Sequence, residues 1–191
     1  MFGIRNKIVF FVVAFFIAIP IEFLFRFVAT SNPQAFGFAI VFYPIFLIIA
    51  LILGKIILGS IGRISNTAGY GFYYVLSGVI GLVVFEWFLA GNSPWGNPNA
   101  NQFAMFSYWA LLAFVPRVFS ERKNQTIMNS NFTKKLIIIH LAAHFIISLG
   151  GGLILEEGYP RFAWIIWTFI ISFSLMNIYA IWIIVKVKIR S

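Results

Sequence analysis

Residues 36–58 read FGFAIVFYPIFLIIALILGKIIL, and Lys55 is the single charged side chain among them. An α-helix rises about 1.5 Å per residue, so a run of this length crosses a hydrocarbon core of about 30 Å. The strict alternation of a barrel strand is absent. Five further runs share its character, at residues 8–28, 71–90, 102–120, 136–155 and 162–185. The sequence therefore predicts an all-α, polytopic transmembrane helical bundle of six helices, with residues 1–191 forming a single integral membrane domain.

Composition agrees. Of the 191 residues, 61% are hydrophobic and 10% are charged, whereas a soluble domain carries about 25% charged residues. So few charges cannot cover a water-facing surface. The absence of cysteine excludes disulfides, thiolate metal sites and cysteine nucleophiles. The first run follows Arg5 and Lys7 as a secretory leader would, but it continues past Pro20 and no small-x-small cleavage site follows. It is expected to be the first helix.

The formal net charge of +9 is read as topology, with no nucleic-acid partner expected. Basic residues cluster in alternate connections: Arg5 and Lys7, then Arg63, then Arg117, Arg122, Lys123, Lys134 and Lys135, and finally Lys186, Lys188 and Arg190. In the intervening segments, residues 30–35, 91–101 and 156–161, Arg161 is the sole basic residue. This positive-inside pattern predicts both termini inside, in a cell membrane taken as the cytoplasmic membrane of a prokaryote. Trp87, Trp95 and Trp109 flank the second outer connection, and Tyr159 and Trp164 flank the third, as interfacial rings do.

Small residues mark close helix contacts. Ser77 with Gly81, and Ser148 with Gly152, are small-xxx-small pairs, although Gly150-Gly151-Gly152 can also break the fifth helix. Pro20, Pro44 and Pro116 each remove a backbone hydrogen bond. No internal repeat is evident. Thr67-Ala68-Gly69-Tyr70-Gly71 matches the outline of a potassium-channel filter but has no room for a pore helix before it, and is read as coincidence. Asn124-Gln125-Thr126 and Asn131-Phe132-Thr133 have the form of glycosylation sequons, yet fall in the basic inner connection.

Ionisable residues within the spans are the candidates for function. Glu22 and Glu86 lie about two turns below the outer boundary, Glu156 and Glu157 close the fifth helix on the same side, and Arg161 lies beside them. Arg26 follows Glu22 by four residues on one helix face. Such a layer can bind a cation, relay protons, or act as acid and base on a lipid headgroup. It can equally be structural, with Glu22 paired to Arg26. Glu86, between Phe85 and Trp87, has no basic neighbour in sequence, so its partner must come from elsewhere.

Nearer the inner side, His140 and His144 share a face at i, i+4, with Asn177 at similar depth. That spacing can chelate a metal. Without cysteine, aspartate or the glutamate of a zinc-protease motif, an interhelical hydrogen bond between His144 and Asn177 is the expected role, with no metal and no cofactor. The uncharged, proline-punctuated connection from Asn92 to Gln102 is either a cap over the carboxylates or a plain turn.

Nucleotide-binding and serine-hydrolase motifs are absent. The expected function is a small-solute transport or accessory membrane subunit with an outer polar site, its partners being the bilayer, a small solute or lipid headgroup, or another membrane subunit. The alternatives are a membrane-embedded enzyme acting on lipid or lipid-linked substrate, and a structural membrane protein without a site. Of these, the transport reading predicts Glu22, Arg26 and Glu86 in an outward cavity. The enzyme reading predicts Glu86 within reach of another acid or Arg161.

Overall fold

The computed structural model describes residues 3–32, 35–98, 100–120 and 131–189. Arg122, Lys123, Arg190 and the sequon at Asn124 lie outside the described residues. The described residues form six long helices and no strand. Helix α1 covers Ile4–Phe23 and runs on as a π-helical segment, Leu24–Ala29. Helix α2 covers Ala35–Ile64, and α3 covers Asn66–Ile80 before a second π-helical segment, Gly81–Leu89. Helices α4, α5 and α6 cover Gln102–Ser120, Asn131–Ile154 and Tyr159–Ile189. All six are long and apolar enough to cross a membrane.

The outer surface shows which solvent these helices need. On α1, Phe10, Ala14, Ile17 and Ile21 are buried, while Ile8, Val12 and Phe16 on the other face are exposed and equally apolar. A helix that is apolar all round is matched to lipid rather than water. In lipid, helix association depends on close packing and interhelical hydrogen bonds instead of burial from water. The bundle is arranged accordingly. Helix α4 has the lowest mean hydropathy of the six spans and is the most deeply buried. It packs on α1, α2, α3 and α6, while α5 lies against α6 and the upper part of α1.

Glycines set the distances between helices. A Cβ at Gly81 would fall 2.2 Å from Cβ and Cγ of Trp109, and one at Gly78 would fall 2.5 Å from the Phe106 ring. Gly78, and Gly81 of the first small-xxx-small pair, therefore seat α3 on α4. The triple glycine does not interrupt α5: Gly151 receives Trp164 of α6, Gly152 receives Val28 of α1, and the helix continues to Ile154. Trp164 Nε1 donates to the Ile147 carbonyl at 3.1 Å, fixing the α5–α6 approach.

Two expectations need correction. Helix α3 begins at Asn66, ahead of the expected residue 71, because the Ser65 hydroxyl accepts from the Ala68 amide and caps it. The Thr67–Gly71 stretch is thereby helical and forms no filter loop. Arg117, counted with the inner-connection charges, is buried within α4, where its guanidinium lies against Gly54, 3.1 Å from where a Cβ would stand.

Candidate functional site

The two π-helical segments lie at the same end of the bundle as Glu22 and Glu86, and they finish alike. In α1 the Thr30 amide donates to the Phe25 carbonyl and the Asn32 amide to the Arg26 carbonyl. In α3 the Ala90 amide donates to Phe85 and the Asn92 amide to Glu86. The turn out of each helix passes through a residue of positive φ, Ser31 at 49° and Gly91 at 73°. The sequences follow the geometry: Phe25-Arg26-Phe27 with Asn32, and Phe85-Glu86-Trp87 with Asn92. Arg26 and Glu86 therefore occupy equivalent positions on two helices, a local repetition missed in the linear reading.

This backbone arrangement gathers a polar layer around Tyr43 of α2 and Trp109 of α4. Glu22 accepts from Arg26 Nε at 3.1 Å through Oε2, and from the Tyr43 hydroxyl through Oε1. The Arg26 guanidinium also lies 5.2 Å from the centre of the Phe25 ring. Glu86 accepts from Trp109 Nε1 at 2.9 Å and from Asn92 Nδ2 at 2.9 Å. The rings of Tyr43 and Trp109 meet edge to face at 5.5 Å, so the two carboxylates sit on either side of one aromatic contact. Phe46 and Phe85 pack on Trp109 at 4.6 and 5.1 Å between ring centres.

The connection from α3 to α4 is tied onto this layer. Asn92 holds Glu86 and accepts from Asn97 Nδ2 at 3.3 Å. Gln102 accepts from Trp87 Nε1 at 2.7 Å and donates to the Asn92 carbonyl at 3.0 Å. Asn101 caps α4 by accepting from the Ala104 amide at 2.9 Å. Trp95 packs edge-on against Trp87 at 5.3 Å. The connection is thus held by side-chain bonds at both ends.

The remaining sequence candidates separate from this layer. Arg161 donates to the Leu155 carbonyl through Nε and Nη2, at 3.3 and 3.0 Å, and closes the end of α5. Its Nη1 meets Glu157 at 3.2 Å, a pair whose carboxylate is 80% exposed. Glu156 is exposed as well. Among the described residues, Glu86 is bonded by Trp109 and Asn92 and not by Arg161 or another acid. Both oxygens of Glu22 and both of Glu86 are already bonded to protein donors.

The group of His140, His144 and Asn177 also divides, and the expected His144–Asn177 bond is not made. Asn177 donates to Ser107 Oγ at 2.8 Å and accepts from the Tyr74 hydroxyl, which joins α3, α4 and α6. His140 Nε2 meets Ser172 Oγ at 2.9 Å, and His144 Nδ1 meets Ser148 Oγ at 3.4 Å. Among the described residues no group of three or more potential metal ligands gathers. Tyr43, Trp109, Tyr74 and Ser172 are the partners that sequence reading missed; only the paired Phe-charge-aromatic motifs hinted at one of these sites. Comparison with protein-family models, with curated proteins and with solved structures finds no match to this chain.

Proposed function

We propose that the protein is a multi-pass subunit of a prokaryotic cell membrane, of the transport or accessory kind, that binds a small cationic solute at the carboxylate layer on the extracytoplasmic side. The observation that carries this reading is the pair of π-helical ends. Such segments are rare and frequently occur at functional sites. Here one carries Glu86, held by Trp109, and the other carries Arg26, paired with the Glu22 that Tyr43 holds.

Glu22 and Glu86 against Arg26 leave the layer one formal negative charge, which a small cation would complement. Each carboxylate oxygen can accept a second bond, so the present partners do not exhaust it. A cation reaching Glu86 would have to share or displace its bond from Asn92. Tight distribution of basic residues at the other end supports the orientation.

The test is thermal unfolding of the protein in nanodiscs with Na⁺, methylammonium or tetramethylammonium. A bound cation at 100 times its Kd stabilises by about 2.7 kcal/mol. The expected result is saturable stabilisation by at least one probe that Glu86→Gln abolishes. No stabilisation by any of them, or equal stabilisation of the variant, overturns the reading. A purely structural role draws support from the protein donor on every oxygen of both carboxylates, and predicts that Glu86→Gln alters stability alone. Orientation is checked by labelling Asn97→Cys with an impermeant maleimide in intact cells, where no native cysteine competes.

A further inference from the structure

The geometry points to a second site: the groove between α1 and α5 binds, from within the membrane, an apolar molecule carrying one hydroxyl or N–H donor, which it gives to His144 Nε2. The groove has a volume of about 210 Å³ and is walled by Phe16, Ile17 and Pro20 of α1 and Leu141, Ala142 and Phe145 of α5. His144 lines it, and also lines a void of about 10 Å³ behind it that reaches Tyr108 and Ser172. His144 and Ile17 lie near the middle of their spans, Lys135–Ile154 and Ile4–Ala29. The groove therefore opens at the depth of the acyl chains.

The polar end of this space is specific. His144 is 7% exposed, and its Nε2 is buried without a hydrogen-bond partner. The hydrogen bonds behind it decide what Nε2 offers. Thr168 Oγ1 donates to the Ile165 carbonyl at 2.8 Å, which uses its one proton. Ser148 Oγ, 2.7 Å from Thr168 Oγ1, must then be the donor to it. Ser148 has no second proton, so its contact with His144 Nδ1 at 3.4 Å is donated by the imidazole. An uncompensated charge at mid-bilayer is costly, so the ring is neutral with its proton on Nδ1. Nε2 presents a lone pair, and a lone pair takes a donor.

Size narrows the class further. A cavity of about 150 Å³ admits benzene, so 210 Å³ holds a substituted ring or the near end of a chain. The void behind admits nothing larger than a water-sized probe, so the body of the ligand stays in the groove. Phospholipid headgroups remain at the interface and do not reach this depth. A membrane-dissolved phenol or alcohol on an apolar body fits.

This site shares no residue with the carboxylate layer, and either proposal can fail alone. The experiment uses the full chain in nanodiscs with ¹⁵N-labelled histidine, titrated with 4-nonylphenol and with its methyl ether, 4-nonylanisole. His140→Gln assigns the resonances. The expected result is a saturable shift of the His144 Nε2 signal with the phenol, binding at least about tenfold tighter than the ether, as loss of one buried hydrogen bond implies. Ala142→Phe, which fills the groove at an exposed wall position, abolishes the shift while the protein stays folded. Equal binding of phenol and ether, an unmoved Nε2 signal, or phenol binding retained in Ala142→Phe each overturns the proposal.

Discussion

The ends of α1 and α3 share one backbone design and hold their charges in different ways. In α1 the carboxylate and its cation lie on the same helix, Glu22 with Arg26, and the guanidinium side chain is 25% exposed. In α3 the equivalent position carries a carboxylate with no cation beside it, and Glu86 is satisfied by Trp109 from α4 and Asn92 from the following connection. The first arrangement is partly local, since Arg26 can reach water if Glu22 is lost, although the buried Tyr43 hydroxyl of α2 also depends on Glu22. The second depends on the fold, because Trp109 Nε1 has no solvent to fall back on. A charge held by distant donors fixes two helices and a connection at once.

That difference can be broken most severely at Gly81, the start of the α3 π-helical segment. The equivalent residue in α1 is the buried Ile21. Gly81→Ile would copy it into α3, where the new Cβ meets Trp109 at 2.2 Å. The expected loss is about 3 kcal/mol or more, as for overpacked cores. Unfolding by SDS in mixed micelles, followed by tryptophan fluorescence, measures it.

Removing the carboxylates sharpens the contrast. Glu86→Leu leaves the Trp109 donor buried and unpaired and is expected to cost about 2–3 kcal/mol. Glu22→Leu is expected to cost less, about 1–2 kcal/mol, since Arg26 retains solvent and its contact with Phe25 while the Tyr43 hydroxyl loses its carboxylate partner. Equal costs in the same unfolding assay would remove the distinction between a local and a distributed site.

The smallest effects lie at the turns. Gly91→Ala places a Cβ at φ 73° and is expected to destabilise by about 1 kcal/mol. Ser31→Gly relieves the same conformation at φ 49° and is expected to stabilise by about 0.5–1 kcal/mol. Opposite signs support the equivalence of the two ends, and like signs refute it.

The six runs and the Glu22–Arg26 spacing were legible in the sequence because length and i, i+4 proximity are local properties. Inward faces were not. A helix such as α1 is apolar on both its buried and exposed sides, so no periodicity says which side meets a neighbour. For that reason the Trp109 partner of Glu86, the burial of Arg117 and the separation of His144 from Asn177 came only from the fold. Residues 66–70 read as a connection because Asn66 and Thr67 are polar, yet a serine cap made them helix.

The account turns on Glu86 and Trp109 being one buried hydrogen-bonded pair that locks α3 to α4. A double-mutant cycle tests it, with Glu86→Leu, Trp109→Phe and the double variant unfolded under identical conditions. Replacing both partners with apolar groups removes both the unpaired Trp109 donor that Glu86→Leu leaves and the under-bonded Glu86 carboxylate that Trp109→Phe leaves. The account predicts that the double variant loses at least about 1 kcal/mol less than the two single losses added together. Additivity to within about 0.3 kcal/mol would contradict it.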